Sequence, residues 1–105
     1  MDIDRVEALL EKATVDCYSE EEAFWGVFYS LDEGLNFPLL ASVLGDAVEV
    51  LGLDDERSGL RRGVVARVRK AGREYPGAME TLKFVDPDPA SAEWLEVYQY
   101  WAEGA

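Results

Sequence analysis

The spacing of apolar residues changes twice along this chain, and that change limits the fold more than any other feature. Up to Gly34 the apolar residues recur at helical intervals; between Leu35 and Asp86 they alternate; beyond Asp88 the helical interval returns. A chain with that order is expected to be α+β, with helices at both ends and a small sheet between them. Its 105 residues suit one domain, divided into a helical segment 1–34, a small barrel 35–86 and a C-terminal helix 88–104.

The individual segments carry their own start and stop signals. Ile3, Val6, Leu9, Leu10 and Ala13 form one helical stripe, with Asp2 placed to cap it. Ser19-Glu20-Glu21-Glu22 is a capping box opening a second helix, and its three acids sit where the positive end of the helix dipole favours them. That helix holds Phe24, Trp25, Val27, Phe28, Tyr29 and Leu31, apolar on more than one face, and Gly34 is expected to end it as a left-handed cap. Strands are expected over 37–43, 47–51, 64–69, 73–76 and 83–85, with a polar loop from Gly52 to Gly63 and a helical turn at 79–82. Four or five short strands joined by tight turns predict an SH3-like barrel, which removes its edges by closing. Pro76 marks a strand end or an edge. The last helix opens on Asp88-Pro89 and carries Trp94, Val97, Tyr98 and Trp101 as one stripe, so the three tryptophans read as core.

Charge removes several functions. The chain has 22 Asp plus Glu against 10 Lys plus Arg, no His and a single Cys, for a net −12. Without His there is no imidazole base, no Ser-His or Cys-His dyad and no HExxH zinc site. Cys17 alone makes neither an internal disulfide nor a Cys-rich metal site. A nucleic-acid partner is not expected, because phosphates are repelled by this net charge. No apolar run approaches the roughly 20 residues of a membrane span, and Met1-Asp2-Ile3-Asp4 lacks the basic start of a secretory signal, so the expected location is cytoplasmic with no membrane partner. The charge is also uneven. Residues 1–56 hold 15 acids and 2 bases, residues 57–83 hold 2 acids and 8 bases, and residues 84–105 hold 5 acids and no base.

The acids themselves fit cation binding better than catalysis. Acid–base catalysis needs one carboxyl desolvated beside a cleft, whereas these carboxyls fall at caps and polar loops, so no enzyme is expected. Calcium takes six to eight hard oxygen ligands at flexible geometry. Asp32-Glu33-Gly34-Leu35-Asn36 supplies two carboxylates, the unpaired carbonyls of a helix end and an amide oxygen, with the negative dipole end adding to cation affinity. The same residues also read as an ordinary solvated helix stop. Asp54-Asp55-Glu56 is a second candidate, set against pairing with Arg57, Arg61 and Arg62. An EF-hand is excluded: counted from Asp86, the sixth position is Ser91 and the twelfth Val97, where the loop needs Gly and Glu.

Several of these residues together resemble a known family. Asp16-Cys17-Tyr18, Glu21-Glu22, Gly26, Tyr29 and the run Leu31-Asp32-Glu33-Gly34-Leu35-Asn36-Phe37-Pro38 are similar to the cyanobacterial calcium-binding proteins of the CcbP type. Gly45 to Gly52 and Glu93 to Trp101 continue the likeness, which spans residues 16–104. It implies an SH3-like barrel with flanking helices, and calcium bound on an acidic surface without EF-hands in an intracellular buffer or sensor. By residue it points to Asp32, Glu33 and Asn36, then to the acids after Gly52, where this chain turns basic at Arg57. The alternative of another class is an SH3-like interaction module whose acidic face meets a basic protein partner.

Overall fold

The computed structural model describes residues 2–104. The elements run α1 (Ile3–Ala13), α2 (Glu20–Gly34), β1 (Leu39–Val43), β2 (Asp46–Leu53), β3 (Val65–Lys70), β4 (Arg73–Ala78), a 3₁₀ turn (Met79–Thr81), β5 (Lys83–Phe84) and α3 (Pro89–Ala102). The described residues form two compact units: a helical one from residues 2–35 and 88–104, and a sheet unit from residues 36–87.

In the helical unit the two ends of the sequence come together. Asp2, Ser19 and Asp88 cap the three helices, accepting from the N–H groups of Arg5, Glu22 and Ser91. The core holds Val6, Phe24, Val27, Phe28, Leu31, Val97 and Tyr98, all buried. Phe24 is the centre of an aromatic set, with ring centroids 5.1 Å from Trp25, 6.4 Å from Phe28 and 5.9 Å from Trp101. The tryptophans flank this core without being fully buried. Gly26 admits the close approach of α1, since a Cβ there would overlap the Ala13 carbonyl oxygen.

The sheet unit is fully antiparallel, in the order β4-β3-β2-β1-β5. Alternation puts Ala41, Val48, Val50, Ala66 and Val68 inward, and the charged residues of β3 outward. A bulge between Val50 and Gly52 shifts the β2–β3 register, and β2 runs two residues beyond its expected end at Leu51. Both hairpins are two-residue turns with positive φ at each central position, Leu44 (51°) with Gly45 (85°) and Ala71 (53°) with Gly72 (78°).

The expected SH3-like barrel is not formed. Closure would need a ladder between β4 and β5, and the sheet stays open with these two strands as its opposite edges. The residues give the reason: β5 has only two residues, both used on β1, and Pro76 in β4 has no N–H to offer a further neighbour. Shortness at one edge and proline at the other protect the edges that closure would have removed.

Candidate functional site

The two acidic groups singled out by sequence lie in different settings. Asp32 and Glu33 occupy the last turn of α2, whose start and stop are both well defined. At the start, Ser19 Oγ accepts from Glu22 N–H at 3.1 Å, and Glu22 Oε2 reaches back to the Tyr18 N–H at 3.0 Å, one residue before the cap. At the end, the Leu35 N–H closes on the Leu31 carbonyl at 2.9 Å. The carbonyls of Asp32, Glu33 and Gly34 follow, at the negative end of the helix dipole.

Gly34 does not have the left-handed conformation expected of it; it is the last helical residue. Its lack of a side chain serves packing instead, because a Cβ would run into the indole of Trp94. Seating α3 on this bare position leaves Asp32 and Glu33 on the solvent side. Both are exposed, and neither side chain hydrogen-bonds or ion-pairs with another described residue. Asn36 is exposed, carries an interaction of its own, and begins the sheet unit; Pro38 follows a cis Phe37–Pro38 bond.

Asp54 is committed elsewhere. It is largely buried, and its Oδ1 accepts from the Arg57 N–H at 3.1 Å while Oδ2 accepts from the Arg57 guanidinium at 2.9 Å. The hydrogen bond from the Arg57 side chain holds its carboxyl below the ordinary value, against the opposing effect of burial. Ser58, also buried, donates to the Asp54 carbonyl at 2.6 Å and accepts from Val65 N–H at 2.8 Å. Asp54 therefore organises its loop. Asp55 and Glu56 stand exposed on the turn it caps.

Sequence segments concealed the most informative electrostatic property. Counted by unit, the helical unit has 14 acids and 2 bases, and the sheet unit 8 acids and 8 bases. The whole −12 therefore resides in the helical unit. Half of the sheet unit's eight basic residues pair with nearby acids: Lys70 with Asp46 (2.7 Å), Arg69 with Glu49 (2.9 Å), Arg67 with Glu74 (4.0 Å) and Arg57 with Asp54 (2.9 Å). In the helical unit, the ion pair among described residues is Arg5 with Glu93 at 2.9 Å.

Hard oxygen donors are what calcium requires, and Asp32 and Glu33 offer them without a competing cation. Asp54 fits poorly, since Arg57 occupies both its oxygens. Among the described residues no three acidic, Cys or His side chains converge as a ready-made metal cage. A calcium ion at Asp32 and Glu33 would draw its remaining ligands from carbonyls and water. No helix among the described residues is long and apolar enough to cross a membrane.

Comparison with known proteins agrees with this chemistry. The sequence model of the Calci_bind_CcbP family, described as calcium binding, matches residues 7–102. The match reaches back into α1, ahead of residue 16, where the residue-by-residue resemblance begins. The fold is similar to the crystal structure of Anabaena CcbP, with 24% identity, a TM-score of 0.83, and coverage of 97% of this chain and 91% of that one. It is also similar to a solved "Calcium binding protein in the calcium-binding form", with 22% identity, a TM-score of 0.74, and coverage of 98% and 95%. No curated protein matches.

Proposed function

The chain belongs to the CcbP calcium-binding family, without EF-hands, and from that premise we propose that it holds calcium at the C-terminal end of α2. Calcium binding itself follows from the family. The observation that supports the location is the pair Asp32 and Glu33, adjacent, exposed and free of cationic partners, in the unit that carries the entire net charge. Their carboxylates supply negative charge, and the dipole end adds its own. Asn36 is the next side-chain oxygen along the chain, three residues past Glu33 and so within about 11 Å by chain length alone. Asp55 and Glu56 form a weaker second locus, because Arg57 has already taken the third acid of that group.

A solvated carboxylate site of this kind belongs at about 10⁻⁶ to 10⁻³ M, which suits an intracellular buffer or sensor. Calorimetric titration with calcium tests the location. Asp32→Asn with Glu33→Gln should remove most of the binding heat, whereas Asp54→Asn should leave it nearly unchanged. Full heat in the first variant would overturn the assignment. The same charge also favours a second reading, in which the helical unit meets a basic protein partner; that partner would compete with calcium.

A further inference from the structure

The sheet unit contains a cationic feature that calcium binding does not use. Between Ser58 and Val64 the chain makes a closed tip: Gly59 and Gly63 exchange backbone hydrogen bonds, Gly59 N–H to Gly63 O at 3.2 Å and Gly63 N–H to Gly59 O at 2.7 Å. Its base is fixed by buried Ser58 and by Val64, which is fully buried. Held out at this tip are Leu60, 41% exposed, and Arg61 and Arg62, both exposed. Neither arginine pairs with a described residue, whereas Arg57, Arg67, Arg69 and Lys70 each have a carboxylate. Arg73 and Lys83 are also unpaired, but each stands on a separate edge strand. Two adjacent guanidinium groups beside an exposed leucine occur at this tip alone among the described residues of the sheet unit. Folding makes no use of them, because the tip is closed by its backbone.

We propose that Leu60-Arg61-Arg62 is a docking surface for a short acidic segment of a partner protein, with apolar residues among its carboxylates. Guanidinium forks match carboxylates in bidentate geometry, and Leu60 offers apolar contact beside them. Because the tip is already ordered, little conformational freedom is lost on docking. The footprint also selects the partner. Three residues span about 10 Å, close to the Debye length of about 8 Å at physiological salt, so a short segment senses the two arginines. A duplex or an anionic membrane presents many more charges than two guanidinium groups neutralise, so it gains little from this tip.

The test titrates the full-length protein with a fluorescein-labelled heptapeptide of alternating glutamate and leucine, followed by anisotropy and amide NMR. Shifts should concentrate at residues 59–64. Arg61→Glu with Arg62→Glu should weaken binding at least about tenfold, as expected when two charge contacts become repulsive. Leu60→Ala, which leaves the charges in place, should weaken it about threefold, as expected for a partly exposed apolar contact. Leu60→Ala should also keep the wild-type melting temperature and calcium heat, which separates this proposal from the calcium site at α2. Shifts elsewhere, or equal binding by the charge-reversed variant, would overturn it. So would tighter, arginine-dependent binding to phosphatidylserine vesicles or a single-stranded oligonucleotide, which would assign the tip to lipid or nucleic acid.

Discussion

The helical and sheet units differ less in how many charges they carry than in how those charges are used. The sheet sets opposite signs on neighbouring strands: Glu49 and Arg69 face each other in register, and Lys70 bonds Asp46 across the same pair of strands. Each contact supports one alignment of β2 on β3, since a one-residue slip would turn these side chains to the other face. The helical unit does the reverse. Its acids cap helices and crowd their surfaces with almost no compensating base, so it remains self-repelling and receptive to cations. The difference teaches that total charge is a poor guide to a cation site; what matters is how much negative charge the fold leaves unpaired.

The sharpest way to test the helical half of that contrast is through its core. Phe24→Ala removes a fully buried ring that meets three other aromatic residues, and should cost about 3–5 kcal/mol, measured by urea unfolding. Gly34→Ala inserts a methyl group into the Trp94 indole and should cost about 1–3 kcal/mol. It should also disturb calcium binding, because it displaces the turn that carries Asp32 and Glu33. An unaltered calcium heat in a destabilised Gly34→Ala protein would detach the site from this helix end.

Gly34 also shows where sequence reasoning reaches its limit. A glycine after an amphipathic run signals a helix end, and the helix does end there; that it is bare because a tryptophan sixty residues later lies against it is a tertiary fact. The capping residues Asp2, Ser19 and Asp88 were legible because their bonds are local. So, to within about two residues, were the strands, from alternation, and the second hairpin turn at Ala71-Gly72; the first was expected at Gly45-Asp46 and lies at Leu44-Gly45. Barrel closure was not legible, because it depends on which edges meet, and a two-residue β5 looks the same in sequence whether or not it reaches β4. The acids at 32 and 33 could be read as ligands, and the pairing of Asp54 with Arg57 was visible as an alternative. The concentration of −12 in one unit was hidden, since it required bringing the two chain ends together.

Calcium should separate the units next. At a hundredfold excess over Kd, binding adds about 2.7 kcal/mol to the state that binds, a rise of several degrees in melting temperature. Hydrogen exchange should show the gain centred on the last turn of α2. A gain centred on residues 54–58 would move the site to the sheet unit and break the comparison. Smaller still is the effect of relieving the sheet's own strain. Leu44 is fully exposed at a φ of 51°, a conformation that suits Asn far better. Leu44→Asn should therefore stabilise by about 0.5–1 kcal/mol, with calcium heat unchanged.

The smallest effect concerns the proton. Arg57 lowers the carboxyl of Asp54, and Arg5 lowers that of Glu93, in each case first through a side-chain hydrogen bond. A carboxyl lowered by folding contributes stability that is fully present above its unfolded value, about 4, and is lost as pH falls through the lower folded value. In the sheet unit this acts with one sign: below the usual carboxylate range the 54–58 loop should loosen. In the helical unit acid has two opposed effects, because protonation weakens the Arg5–Glu93 pair while also reducing the self-repulsion of fourteen acids. Carboxyl ¹³C titration of wild type and Arg57→Gln measures the sheet term directly. The Asp54 midpoint should lie below the usual range in the wild type and rise in the variant. Equal midpoints would mean that the Arg57 guanidinium does not lower the Asp54 carboxyl, and its ion pair would then be no barrier to calcium there.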